Sequence, residues 1–148
     1  NTPALLGEGM TGVSFDASLF SFSEKEMIEK IFKSFGKYAV VEEKLMSAVT
    51  CAVGSSPAYV YMFIESLADS VVKYGIPRQS ALEMAAQTVL GAAKMVLETK
   101  KHPAELKDAV CSPGGTTIAG VAALEEYGFR NSIIKATDAC YEKAENIK

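Results

Sequence analysis

The sequence predicts a mainly α-helical protein with a short α/β remnant, one helix and two short strands, at its N-terminus. Three observations predict it. Candidate strands occur only ahead of Glu43, and every segment from Glu43 onward carries helical spacing of apolar residues. Glycine and proline fall between those segments, where helices stop and start. The expected division is residues 1–42 as linker and α/β material and residues 43–148 as a helical domain. Two strands are too little sheet to stand alone.

The elements follow in order. Residues 1–20 are rich in Gly, Thr, Ser and Pro, and Gly9–Ser14 alternates loosely enough to be a strand. Ser23 and Glu26 form an S-x-x-E capping box that opens a helix. Met27, Ile28, Ile31, Phe32 and Phe35 then give it an apolar stripe, and Gly36 stops it. Lys37–Val41 reads as a strand. Lys44–Cys51 reads as a helix broken at Gly54-Ser55-Ser56-Pro57, with Ser55 or Ser56 capping the next one. In that next helix Tyr59, Phe63, Leu67 and Val71 share one face, opposite Glu65, Asp69 and Lys73. Gly75 closes it.

Pro77 opens a long helix to about Thr99, dense in Ala81, Ala85, Ala86, Gly91, Ala92 and Ala93 and apolar nearly all round. Small residues let helices approach closely, and such a helix is usually buried. A chain of 148 residues can hardly bury it alone, so a helical dimer is expected, with a monomeric bundle as the alternative. A last amphipathic helix, Phe129–Asn146, would turn Ile133, Ile134, Thr137 and Tyr141 inward.

Composition narrows the partners. The net charge is −3 and no basic cluster occurs, which argues against nucleic acid. Hydrophobic residues make up 49% of the chain, yet no stretch reaches the roughly 18 uninterrupted apolar residues of a membrane span. The three cysteines are widely spaced, there is no CxxC, and His102 is the only histidine. Neither a metal site nor a disulfide framework is expected, and a reducing, cytoplasmic setting is the default. The chain opens in mid-loop at Asn1, which suggests a piece of a longer protein, and no targeting signal is visible.

The stretch His102–Thr117, HPAELKDAVCSPGGTT, holds the most chemistry. His102 ahead of Pro103 is an N-cap pattern for a short helix, on which Glu105, Lys107 and Asp108 read as a salt-bridged face. Pro113 ends that helix, and Gly114 and Gly115 can take positive φ. Without Cβ atoms the glycines let backbone N–H groups approach a ligand at the start of the next helix. Helix N-termini hold carboxylates and phosphates through unpaired donors and partial positive charge. Thr116 and Thr117 add hydroxyls. The plainer alternative is a helix corner with threonine as its cap. Cys111 beside the turn reads as a spacer. No GxGxxG, Walker A loop or nucleophile elbow is present. The residues alone offer an anion pocket, hydroxyls and a dimer surface.

Three long segments in register, SSPAYVYMFIESLAD, AAQTVLGAAKMVLET and HPAELKDAVCSPGGTTIAGVAALEEYGFR, resemble the C-terminal part of the pyrroline-5-carboxylate reductase family. NTPALLGEG resembles the segment that joins that family's nucleotide-binding domain to the rest, and the likeness runs over essentially the whole chain. Val53, Ser56 and Ala109 depart from common forms of the pattern.

The resemblance implies NAD(P)H-dependent reduction of 1-pyrroline-5-carboxylate to L-proline, in proline biosynthesis. It implies that residues 1–42 end the nucleotide-binding domain and that 43–148 are the dimerisation and substrate domain. The site would form at a homodimer interface, and family members often assemble into rings of dimers. Ser112, Gly114, Gly115 and Thr116 would bind the substrate carboxylate. Thr117 would be catalytic, hydrogen-bonding the ring nitrogen. Asn1, Pro57 and Val110 would border the nicotinamide of NADPH or NADH, which an absent Rossmann domain mainly binds. This chain alone is then expected to be inactive. Two other readings stand beside this one: a non-catalytic helical dimerisation module, and the dimerisation domain of a related imine or hydroxy-acid reductase.

Overall fold

In the computed structural model, which describes residues 1–147, the chain forms two compact units. One holds Asn1–Tyr59 and the chain from Ile134 onward; the other is Val60–Ile133. Helix dominates both, and the expected small α/β element is present at the N-terminus.

The first unit begins with a 3-10 turn, Thr2–Leu6, and strand β1, Gly9–Val13. Helix α1, Phe22–Lys33, leads to strand β2, Gly36–Val40. The strands pair in parallel, from Gly9 opposite Gly36 to Val13 opposite Val40. Glycine is required where the pairing starts. Gly36 has φ +150°, and a Cβ there would lie 2.1 Å from the Gly9 carbonyl oxygen.

The capping box of α1 sits two residues earlier than expected. Ser21 is the N-cap, its hydroxyl accepts from the Glu24 amide, and the Glu24 carboxylate accepts from the Ser21 amide at 2.8 Å. Ser21 and Glu24 are also an S-x-x-E pair, and Phe22 can already start the helix, so the earlier register wins. Phe32 packs against Phe35 and Tyr38, with ring centroids 5.9 and 5.7 Å apart. Met27 and Ile31, expected on the same stripe, stay 63% and 52% exposed. A two-stranded sheet is too narrow to cover them. Gly36 is thus the first residue of β2, and Ser34 is the C-cap of α1.

The break expected at Gly54–Pro57 does not occur. Helix α2, Met46–Val49, widens into a π-helical stretch, Thr50–Ser55, which runs directly into α3, Ser56–Val72. Pro57 has no N–H to give the carbonyl four residues back. That carbonyl, Val53 O, instead accepts from the Asn1 side-chain amide at 2.9 Å. The Ser56 hydroxyl donates to Cys51 O at 2.6 Å. The freed backbone groups are answered from outside the ladder, so the helix continues.

In the second unit α3 ends at Val72 and Gly75 makes the turn with φ +99°. Helix α4, Arg78–Thr99, folds back with Pro77 as N-cap. Ala68, Ala81 and Ala85 are the buried core of this hairpin, with Ile64, Leu67, Val71, Val72 and Ile76 packed around them. Three alanines at the centre let the two backbones close in. Helix α5, Pro103–Ala109, and helix α6, Thr116–Glu126, follow. Gly128, at φ +72°, opens helix α7, Phe129–Glu145. Phe129 returns to Phe63 with ring centroids 6.1 Å apart.

Much apolar surface stays open within the chain. Leu90, Met84, Leu97 and Met95 on α4 are more than half exposed. Ile133, Ile134 and Tyr141, expected to face inward on α7, are also exposed. The accessible surface is 10968 Å² for a mass of 15.8 kDa. One folded unit of that mass would expose about 7,300 Å², and two separately folded halves about 8,800 Å². The excess, roughly 2,000 Å², has the size of a stable protein interface. By length and composition the helical run Glu43–Val72 could also cross a membrane, and 6% of its most apolar window is buried.

Candidate functional site: an open turn at the start of α6

The turn Ser112–Thr117 lies wholly in the second unit. His102 caps α5 as expected, its Nδ1 accepting from the Ala104 amide at 3.2 Å. The face of α5 is salt-bridged in a different pattern from that expected. Glu105 pairs with Lys101 at 2.8 Å, while Lys107 pairs with Asp108. The hydrogen bond to Asp108 pushes the Lys107 ammonium above its usual range. The helix ends at Ala109, with Val110 as C-cap, three residues ahead of Pro113.

The two glycines have separate geometries. Gly114 takes φ +69°, a left-handed position with nothing within 4 Å of a notional Cβ. Gly115 has φ −78° and ψ 170°, open to any residue on backbone grounds. What requires glycine there is space: a Cβ would lie 2.4 Å from Ser112 Oγ and 3.1 Å from Ser112 O. The Gly115 amide closes the turn onto Ser112 O at 3.0 Å. Positive φ therefore falls on one glycine of the pair and close packing on the other.

Gly115 is also the N-cap of α6, and it offers no side-chain acceptor. The plainer reading, threonine as cap, does not hold, because Thr116 is already the first helical residue. The amides of Thr116, Thr117 and Ile118 are those that an α-helix leaves without an intrahelical acceptor. The Ser112 hydroxyl lies against this helix start, 2.4 Å from where a Gly115 Cβ would be. Ser112, Gly114, Thr116 and Thr117 are all exposed, and Val110 is 64% exposed. Amides without a side-chain cap and a partial positive charge are what an anionic ligand needs.

Asn1 and Pro57 belong to the first unit. Besides donating to Val53 O, Asn1 accepts from the Met10 amide through Oδ1 at 3.4 Å. The Asn1 side chain is thus a tether between the start of the chain, β1 and the π-helical stretch. Sequence spacing gave no signal of this, because the contact joins residues 52 positions apart.

The fold and the turn define a helical domain with an exposed, glycine-built helix start and a large uncovered apolar surface. Residues 43–147 match the family described as pyrroline-5-carboxylate reductase dimerisation, and the chain belongs to that family. It is 51% identical over 147 residues to the pyrroline-5-carboxylate reductase of Escherichia coli, covering 99% of this chain and 54% of the relative. A pyrroline-5-carboxylate reductase structure from Coxiella burnetii matches with a TM-score of 0.92 at 32% identity, covering all of this chain and 55% of that one. A Plasmodium falciparum pyrroline carboxylate reductase solved with NADP bound matches with a TM-score of 0.86 at 36% identity, over 99% and 58% of the two chains. The chain spans about half the length of the curated relatives it matches.

Proposed function

We propose that the protein carrying this chain reduces 1-pyrroline-5-carboxylate to L-proline with NAD(P)H, and that this chain supplies the substrate pocket and the subunit interface. The reading rests on one observation above the others: an uncapped α6 N-terminus built from Ser112-Pro113-Gly114-Gly115-Thr116-Thr117, in a chain of this family. The substrate is a small cyclic imine with one carboxylate, and the turn suits both groups.

In this mechanism the carboxylate sits on the Thr116 amide and its neighbours, with the Ser112 hydroxyl donating from the side. Gly114 and Gly115 keep the backbone low enough for that approach. Thr117 donates to or accepts from the ring nitrogen and fixes which face of the imine carbon is presented. Bound NAD(P)H would supply the hydride. The protein's own contribution is positioning, which converts a bimolecular encounter into an oriented one. Reduction also leaves a proton to be placed on the ring nitrogen, and the Thr117 hydroxyl is the group beside it.

The residues present fit a supporting part in cofactor binding. In the second unit the exposed Val110 offers apolar surface for a nicotinamide face; in the first unit Pro57 would have a separate supporting part, and both ends of the Asn1 amide are engaged within the chain. Asn1 would therefore shape the loop, and the bulk of the cofactor would be held by a nucleotide-binding domain of which residues 1–42 are the end. Residues 43–148 would form the dimerisation and substrate domain.

A second copy of the chain is the proposed cover for the exposed faces of α4 and α7, and further assembly into a ring of dimers is an extension of the same reading. A protein partner also accounts for the exposed run Glu43–Val72 without a bilayer. A cytoplasmic enzyme is the setting proposed. The test is the intact protein with 1-pyrroline-5-carboxylate and each cofactor. The expected result is cofactor oxidation matched by proline formation; oxidation without proline would overturn the substrate assignment.

A further inference from the structure

The helical run from Met46 to Val72 carries a proline inside it and does not break. Proline in a helix interior removes one N–H and leaves the carbonyl four residues back without its donor. For Pro57 that carbonyl is Val53 O, and the donor comes from 52 residues away: the Asn1 side-chain amide, at 2.9 Å. The other end of the same amide is engaged too, since Asn1 Oδ1 accepts from the Met10 amide on β1 at 3.4 Å. Beside this tether β1 lies directly on α2, where a Cβ on Gly12 would collide with the Val49 side chain. Ser56, next to Pro57, donates its hydroxyl to Cys51 O at 2.6 Å. A π-helical widening such as Thr50–Ser55 is rare and falls often at functional sites.

We propose that Asn1 is a positioning residue for the cofactor side of the site: its amide stands in for the N–H that Pro57 lacks, and so fixes the backbone that carries Pro57.

Asparagine suits the task because its amide donates at one end and accepts at the other. Strand β1 holds the accepting end, which turns the NH2 toward Val53 before the contact is made. A carboxylate of the same size would accept at both ends and leave Val53 O without a donor. An unpaired backbone carbonyl costs free energy, so the run would loosen just ahead of Pro57. The effect on cofactor rests on the reductase reading, in which Pro57 has a supporting part, whereas the replacement of the missing N–H stands on the hydrogen bonds alone. Asn1 then acts through Val53 and Pro57, without touching the cofactor itself.

The test uses the intact protein. Hydrogen exchange without cofactor, followed by mass spectrometry, reads residues 50–58 directly. In Asn1→Ala this segment should exchange about threefold to tenfold faster than in the parent. Asn1→Asp keeps the size and the acceptor but not the donor, and should match Asn1→Ala. Pro57→Ala returns an N–H to the helix, so adding Asn1→Ala to Pro57→Ala should change the exchange little further. Direct titration with NAD(P)H should show Asn1→Ala binding it about threefold to tenfold more weakly. At saturating cofactor its KM for 1-pyrroline-5-carboxylate should match the parent's, because the α6 turn belongs to the other unit. Unchanged exchange in Asn1→Ala would overturn the proposal, as would an equal acceleration with and without Pro57→Ala. Faster exchange with cofactor affinity unchanged would overturn the positioning role. A parent protein that binds neither cofactor would remove the reductase reading, and the positioning role with it.

Discussion

Gly114 and Gly115 adjoin in the turn, yet substituting each by alanine should have different consequences. Gly114→Ala places a Cβ in open space but in a left-handed backbone. That conformation costs an L-residue about 1–2 kcal/mol. For a chain of this size the melting temperature should fall by about 2–8 °C. Substrate affinity should change little once the protein is folded.

Gly115→Ala carries no backbone penalty, because φ is −78°. Its Cβ meets Ser112 Oγ at 2.4 Å and Ser112 O at 3.1 Å. The serine hydroxyl can swing away, but the backbone oxygen must give by a few tenths of an ångström, and the hydroxyl leaves the pocket. A hydrogen bond to a charged group is worth about 1.5–3 kcal/mol, so kcat/KM should fall roughly tenfold to a hundredfold. Most of that loss should appear in KM for 1-pyrroline-5-carboxylate. The assay is thermal denaturation of both variants beside steady-state kinetics. If Gly115→Ala binds substrate normally, or if both variants lose stability alike and neither loses affinity, the assignment of Ser112 and the α6 turn is wrong.

Other perturbations test separate parts of the account. Thr117→Ala should lower kcat by about tenfold or more with the oligomer intact, while Thr117→Ser should recover most of it; equal kcat in all three proteins would remove Thr117 from the chemistry. Gly36→Ala drives a Cβ to 2.1 Å from the Gly9 carbonyl, and overpacking of this kind should cost about 1–3 kcal/mol or more in a denaturant titration; an unchanged midpoint would contradict the strand pairing. Leu90→Glu places a charge on the exposed face of α4, and sedimentation should show dissociation; a variant that stays fully dimeric would exclude that face from the interface. Saturating L-proline should raise the melting temperature of the intact protein by mass action, and Gly115→Ala should blunt the shift.

Most of the secondary structure was legible because the residues declare it locally. The α4 pattern ran from Pro77 to Thr99, and His102 announced a cap. The misses share a cause: each was decided by a partner distant in sequence. The helix continues through Pro57 because the amide of Asn1 takes the orphaned Val53 carbonyl. No local rule places an N-terminal side chain there. The capping box moved to Ser21 because two overlapping S-x-x-E pairs compete and spacing alone does not choose. Ile133, Ile134 and Tyr141 carried a true apolar stripe, but each stays exposed.

The turn itself was legible from the run Ser-Pro-Gly-Gly-Thr-Thr. The division of labour between the glycines was not, because Gly115 is constrained by the position of Ser112 and not by its own φ.

The most direct measurement is L-proline formed per NAD(P)H consumed by the intact protein given 1-pyrroline-5-carboxylate, in parallel with Thr117→Ala. The account predicts one proline per cofactor oxidised, with the rate falling sharply in the variant. No proline from the unaltered protein with either cofactor, or a variant as fast as its parent, would contradict it.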